Sequence, residues 1–291
     1  MKIAQISDIH LLELGRPNPF SFLNKRLAGT ANLVIGRAKQ HSRAVFDALV
    51  RDLELEAVDH ILCTGDVSNL ALQSEFDYVR QRFLAIGGAE KLTLIPGNHD
   101  AYVREATDER RFERTFADWF PDPARAVGGH GYPFVKQLGE VVVVGCSSAV
   151  ATPFFCSYGQ LGDAQLGRLD AILREPGLES KLVFLLVHHH LHDTGKPFEP
   201  IRGLRDRLQL LERLRHSPVD YVLHGHEHEP HSWTMFTGKR PVRIQSCGTS
   251  TRLHSNPHKL AHYRLYEIED NRVSAERQKV YSPTTGCFVP E

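Results

Sequence analysis

Lys2-Ile3-Ala4-Gln5-Ile6-Ser7-Asp8-Ile9-His10 decides how this chain reads: an apolar run breaks at once into a polar stretch carrying a carboxylate and an imidazole. The same pattern returns down the sequence. Apolar, β-branched runs stand at residues 3–6, 58–63, 92–95, 141–145, 182–187, 221–223 and 242–244, most of them ending directly in a polar cluster. Runs this short and this apolar predict strands buried on both faces. Between them, residues recur at helical spacing: Val45, Leu49 and Leu53; Phe76, Val79 and Phe83; Leu161, Gln165, Leu166, Leu169 and Leu173, with Asp163 near that helix start. Strands alternating with helices make an α/β protein. Residues 263–268 and 273–280, joined through Asp270-Asn271, predict a closing β-hairpin. No internal repeat, low-complexity tract or linker divides the chain, so a single domain over 1–291 is expected.

Composition narrows the function. Apolar residues make up 41% and charged residues 24%, which supplies a core and argues against long disorder. Lys plus Arg balances Asp plus Glu at 35 each, so no global charge draws a nucleic-acid polymer, and such a partner is not expected. The chain is rich in His, with 17, the side chain most used to ligate metals and move protons. Cys63, Cys146, Cys156, Cys247 and Cys287 are scattered, odd in number and free of any CxxC, which suits a reducing cytosol. The opening strand leaves no room for a signal peptide and no apolar run reaches membrane-spanning length, so a cytoplasmic location is expected.

Five polar clusters carry the chemistry: Asp8-Ile9-His10, Gly65-Asp66, Gly97-Asn98-His99-Asp100, His188-His189-His190 and Gly225-His226-Glu227-His228. Each alone has an ordinary explanation. Gly-Asp and Gly-Asn after a strand are common turns, and a run of His can be a solvated loop. Together they read differently. Residues two apart on an extended chain point the same way, so Asp8 with His10, and His226 with His228, are expected to form chelating pairs. Asp66, Asn98 and His188 would emerge at the sheet edge where active sites of α/β folds gather. Seven N and O donors exceed the need of one tetrahedral ion but match two ions of higher coordination that share a carboxylate.

In their order and in their placement behind strand runs, these motifs resemble the calcineurin-like metallophosphoesterase superfamily, over residues 7–228, with 245–250 and the hairpin similar to its closing elements. The resemblance implies a four-layer αββα sandwich of two mixed sheets flanked by helices. It implies that Asp8, His10 and His228 hold a first metal ion, that Asn98, His188 and His226 hold a second, and that Asp66 bridges both. A hydroxide between the ions would attack phosphorus, His99 would sit unligated over the phosphate, and Asp100 would orient His99. N and O donors without thiolate admit Mn, Fe, Zn, Co or Ni. Within the His run, His188 is chosen because it directly follows its strand, with His189 the second choice; His224 reads as a buried supporting residue. Protein Ser/Thr phosphatases of the family carry Asp-Arg-Gly and a Glu after Gly-Asn-His. Here Gly65-Asp66-Val67-Ser68-Asn69 and Asp100 stand in those places, closer to the bacterial phosphodiesterase-like branch. The expected substrate is a small-molecule phosphodiester.

One stretch exceeds what this chemistry needs. Residues 14–46 contain no Asp or Glu, while Arg16, Lys25, Arg26, Arg37, Lys39 and Arg43 are interleaved with Phe20, Phe22, Leu23, Leu27, Leu33, Val34 and Ile35. An inserted cap on the sandwich is the expectation. The alternative is peripheral membrane contact through this stretch by a hydrolase of lipid-linked phosphodiester or pyrophosphate. A non-catalytic scaffold on the same fold is a third reading, against which the full donor set and His99 speak.

Overall fold

The computed structural model describes residues 1–15, 25–26, 40–195, 198–238 and 240–291. Two six-stranded mixed sheets face each other. The first has the order β12-β11-β10-β1-β2-β3, from Cys287–Pro290, Arg272–Ser282, His262–Glu269, Lys2–Ile6, His60–Cys63 and Leu92–Leu94. The second runs β4-β5-β6-β7-β9-β8, from Phe134–Leu138, Val141–Gly145, Leu182–Leu186, Tyr221–His224, Val242–Cys247 and Pro230–Met235. This is the αββα architecture that the resemblance implies, with the terminal hairpin formed by β10 and β11.

The apolar runs became strands, all but the edge strand β3 lying inside their sheets. Strands β1, β2 and β3 are mutually parallel, as are β5, β6, β7 and β9. Helical crossovers Arg43–Leu55, Gln73–Ala85 and Asp163–Leu173 return the chain between them, burying Val45, Leu49 and Leu53, then Phe76, Val79 and Phe83, then Leu166, Leu169 and Leu173. In β5 the alternation sends Val141 and Val143 to the inter-sheet core and Val142 and Val144 to the outer helical layer. Between the sheets, the Phe184 ring packs 5.0 Å from Tyr221 and 5.6 Å from Tyr266 of the opposite sheet. A polar seam crosses there too: Gln5 donates to the His224 carbonyl at 3.0 Å and the Tyr266 hydroxyl donates to Gln245 at 2.9 Å.

Because the parallel strands share one direction, their carboxyl ends open on one edge. Asp8 follows β1, Asp66 follows β2, Asn98 follows β3, His188 follows β6, and His226 and His228 follow β7. Of the basic stretch, residues 16–24 and 27–39 lie outside the described residues. Of its three described basic residues, Arg43 is exposed and paired with Glu13, while Lys25 and Arg26 turn inward. Lys25 Nζ donates to Thr152 Oγ1 at 2.6 Å and to the Cys156 carbonyl at 2.8 Å. The Arg26 side chain is buried, bonded to the Leu70 carbonyl at 2.8 Å and paired with Glu105 at 3.1 Å. Among the described residues, no helix is long and apolar enough to cross a membrane.

Candidate metal centre

The donors are delivered by kinked backbone. Asp8, His10, Asp66, His226 and His228 all have positive φ, at 50°, 41°, 55°, 76° and 58°. Each such non-glycine conformation costs on the order of 1–3 kcal/mol, and such residues gather where a site demands them. This corrects the expected route: Asp8 and His10 do not converge by strand alternation but by left-handed turns, with Ile9 buried between them. Two motif glycines are there because the turns pack so closely. A Cβ on Gly97 would lie 2.2 Å from Asp66 Oδ1, and one on Gly225 would lie 2.1 Å from Ser7 Oγ and 2.4 Å from Asp8 Oδ2.

Around Asp8, His10, Asp66 and His228 the donor atoms lie within 4.8 Å of one another. His228 Nε2 is 3.2 Å from Asp8 Oδ1, and His10 Nε2 is 3.6 Å from Asp66 Oδ2. The Nδ1–H of His10 donates to the Ser68 carbonyl at 3.0 Å, so a neutral ring presents its Nε2 lone pair, 3.1 Å from His228 Nε2. A second set continues from the same carboxylate. His188 Nε2 is 3.4 Å from Asp66 Oδ2 and 3.1 Å from Asn98 Oδ1, and His226 Nδ1 is 2.7 Å from that same amide oxygen. His188 Nδ1–H donates to the Thr64 carbonyl at 2.8 Å, again aiming Nε2 at the cluster. His226 and His228 thus part company, one to each set, instead of forming the chelating pair that their spacing predicts. His189 turns away: its two nitrogens bond Ser148 Oγ at 2.7 Å and the Ser157 carbonyl at 3.0 Å. Of the two histidines, His188 turns its Nε2 to Asp66 and Asn98 and His189 does not.

Charge follows the same plan. Burial opposes ionisation of Asp66, but His188 and His99 outweigh it and hold the carboxyl below the usual range. Burial likewise disfavours a charged His188, and Asp66 outweighs it, raising the imidazole. The space beside Asp66 is therefore one that favours positive charge. Burial, then His189 and His188, press His226 well down, so it is a neutral imidazole, the form that ligates metal.

A sequence model of the calcineurin-like phosphoesterase family matches residues 1–230. The chain belongs to this family. No curated protein matches it. Among solved structures, a dimetal phosphatase from Danio rerio superposes with a TM-score of 0.58 at 14% identity, over 96% of this chain and 94% of that one. A purple acid phosphatase from yellow lupin (Lupinus luteus) seeds superposes at 0.60 with 13% identity, over 99% of this chain and 52% of that one. At these identities the likeness speaks for the fold. Membership makes this chain a metal-dependent phosphoester hydrolase, and the family implies divalent ions in a binuclear site.

The calcineurin-like donor set fits such ions. Buried carboxylate oxygens, an amide oxygen and imidazole nitrogens converge within a few ångströms of one another, donor chemistry that suits a divalent cation. Thiolate takes no part: Cys63 is buried in β2, and burial drives its thiol far above the ordinary range.

His99 stands beside the clusters. Its backbone N–H donates to Asp66 Oδ1 at 2.7 Å, its Nδ1–H donates to the Asn69 carbonyl at 2.7 Å, and its ring stacks on Tyr102 at 5.2 Å. Asp100 does not orient it, contrary to the role that the resemblance implies. The Asp100 carboxylate accepts from Gly97 N at 2.9 Å, Val67 N at 3.2 Å, Ser68 N at 2.9 Å and Ser68 Oγ at 2.8 Å, so it staples the second motif to the third. The ring is oriented by Asn69 and Tyr102 instead. Asp100→Asn turns an acceptor into a donor facing backbone N–H groups. It is expected to lower the unfolding free energy by roughly 1–3 kcal/mol in urea titration.

The sets open into a cleft of about 570 Å³ whose lining includes Asp66, Asn98, His99, His226 and His228. Sequence reasoning missed several of its neighbours. Tyr102 carries no motif signal beyond its place just after Asp100. Lys25 lines the cleft with its ammonium 4.8 Å from the Tyr102 ring, and burial lowers it to about 8. His41, from the basic stretch, lies edge-on to His10 with ring centroids 4.7 Å apart.

Proposed function

We propose that this phosphoesterase hydrolyses phosphodiesters of small molecules at a centre of two metal ions. Asp8, His10, Asp66 and His228 would hold the first, and Asp66, Asn98, His188 and His226 the second. The observation that carries this reading is the sharing of Asp66 Oδ2 by both sets, 3.6 Å from His10 Nε2 and 3.4 Å from His188 Nε2. Bound there, divalent ions supply a nucleophile at neutral pH and neutralise charge on phosphoryl oxygens. The chain's own residues supply the rest. Asn69 fixes the His99 tautomer so that Nε2 is the nitrogen through which the ring meets a substrate, taking up charge on the phosphate or protonating the leaving oxygen. Phe154, Phe155 and Phe198 line the cleft while remaining 53%, 87% and 61% exposed, which supports organic substituents on the ester rather than bare phosphate. The described Lys25 lines the cleft, where its ammonium can meet a phosphoryl oxygen, and the five free cysteines support a cytoplasmic setting.

The same exposed phenylalanines favour a second reading, a hydrolase of lipid-linked diester or pyrophosphate whose apolar tail they would meet. A Mn-supplemented hydrolysis panel of aryl phosphomonoesters, aryl phosphodiesters, cyclic nucleotides and lipid-linked pyrophosphates separates the two. The proposal expects the water-soluble diesters to have the highest kcat/KM. Preference for the lipid-linked substrates would replace it with the second reading, and inactivity of metal-loaded protein on every phosphoester would leave a scaffold.

A further inference from the structure

His41 is absent from the seven donors, yet a ring nitrogen of His41 lies within 4.8 Å of those of His10 and His228. Its ring centroid is 4.7 Å from that of His10 and 5.7 Å from that of His228. Its tautomer is set from behind. His41 Nδ1 is 2.9 Å from Thr251 Oγ1, and the Thr251 hydroxyl gives its own proton to the Ile9 carbonyl at 2.7 Å. The nitrogen must therefore be the donor, and a neutral His41 carries its lone pair on Nε2. In His10, with the Ser68 carbonyl, and His188, with the Thr64 carbonyl, an Nδ1–H is held by oxygen in the same way, and there Nε2 faces the Asp66 carboxylate. That is how ligating histidines are held.

The backbone is fixed to the same frame. His41 bridges Arg252, Ser42 N donates to the Thr251 carbonyl at 3.0 Å, and Leu253 N donates to the Gln40 carbonyl at 2.6 Å. The strip that it pairs with is itself tied to the first motif: Ser250 N donates to the Ser7 carbonyl at 2.9 Å and Thr249 Oγ1 to the Asp8 carbonyl at 2.7 Å. One strip thus registers His41 against Asp8 and His10.

We propose that His41 is a further protein ligand of the first metal ion, an inference that rests on the two-metal reading above. The first site then has Asp8, His10, His41, Asp66 and His228, three imidazoles among five donors, against four donors at the second. The sites are unequal. The first holds its ion more tightly and prefers Fe, Co, Ni or Zn over Mn, since imidazole suits those metals.

Chelator-competition titration of Co and Zn, with X-ray absorption on the Zn-loaded protein, tests this. In wild type, two ions bind with distinct affinities. His41→Ala and His41→Gln are expected to weaken the tighter ion about 10–100-fold, with the weaker ion unchanged and fewer imidazoles per Zn. Thr251→Val, which keeps the imidazole but frees its tautomer, is expected to shift the same ion by less. Wild-type affinities and imidazole count in His41→Gln with native circular dichroism would overturn the His41 assignment alone. Wild-type protein that binds no ion would overturn the two-metal reading with it.

Discussion

Asp66→Asn is expected to strip both ions and to lower kcat/KM by at least ~10⁴-fold, which is ~5 kcal/mol of transition-state stabilisation. One carboxylate oxygen faces His10 Nε2 at 3.6 Å on one side and His188 Nε2 at 3.4 Å on the other. The amide removes the negative charge that both sets share and can turn N–H toward two lone pairs. Relaxation around it is limited, because Gly97 backs the Asp66 side chain so closely that even a Cβ would lie 2.2 Å from Oδ1. The other carboxylate, Asp8, belongs to one set and is already engaged by Ser7 Oγ at 2.6 Å. Replacing other donors should cost one ion first. Asp66 alone should cost both together, read by elemental analysis beside the rate. A variant that keeps its full metal load at a wild-type rate would remove Asp66 from the centre.

His99→Asn should behave oppositely: kcat is expected to fall roughly 10²–10⁴-fold while metal content stays. The ring's Nδ1 is committed to Asn69 at 2.7 Å and its plane is held against Tyr102 at 11°. Its ring centroid is 4.8 Å from that of His10, but among the described residues its nitrogens join neither of the donor groups that include His10. If protonation of the leaving oxygen is its task, the deficit should shrink as the leaving group improves, and a series of aryl diesters of falling phenol pKa measures that. Loss of an ion in this variant would make His99 a ligand instead.

Much of the fold was legible because parallel strands buried on both faces are nearly continuous apolar runs, as 141–145 and 182–187 are, and 3–6 apart from Gln5. Strands β4, β8 and β12 escaped notice for the converse reason. All three are sheet edges with partly exposed faces, and Lys136, His231 and Pro290 interrupt any apolar run. The seven proposed donors could be picked out because each stands just after a strand, and the preference for His188 over His189 rested on that position. The geometry joining them was not readable, since positive φ at Asp8, His10, Asp66, His226 and His228 leaves no mark in residue type. Asp100 shows the limit of carrying a role across by resemblance: its four hydrogen bonds go to Gly97, Val67 and Ser68 and none to the His99 ring. His41 sits among basic residues with no motif around it, and only its pairing with Thr251 and Arg252 brings it to His10.

The most direct test of the account is elemental analysis of wild-type protein loaded with Mn or Zn and freed of excess ion, followed through stepwise chelation. A centre bridged by Asp66 should hold close to two ions per chain, with hydrolysis lost as they are withdrawn and restored on their return. A single ion per chain at full activity, or undiminished hydrolysis after exhaustive chelation, would contradict it.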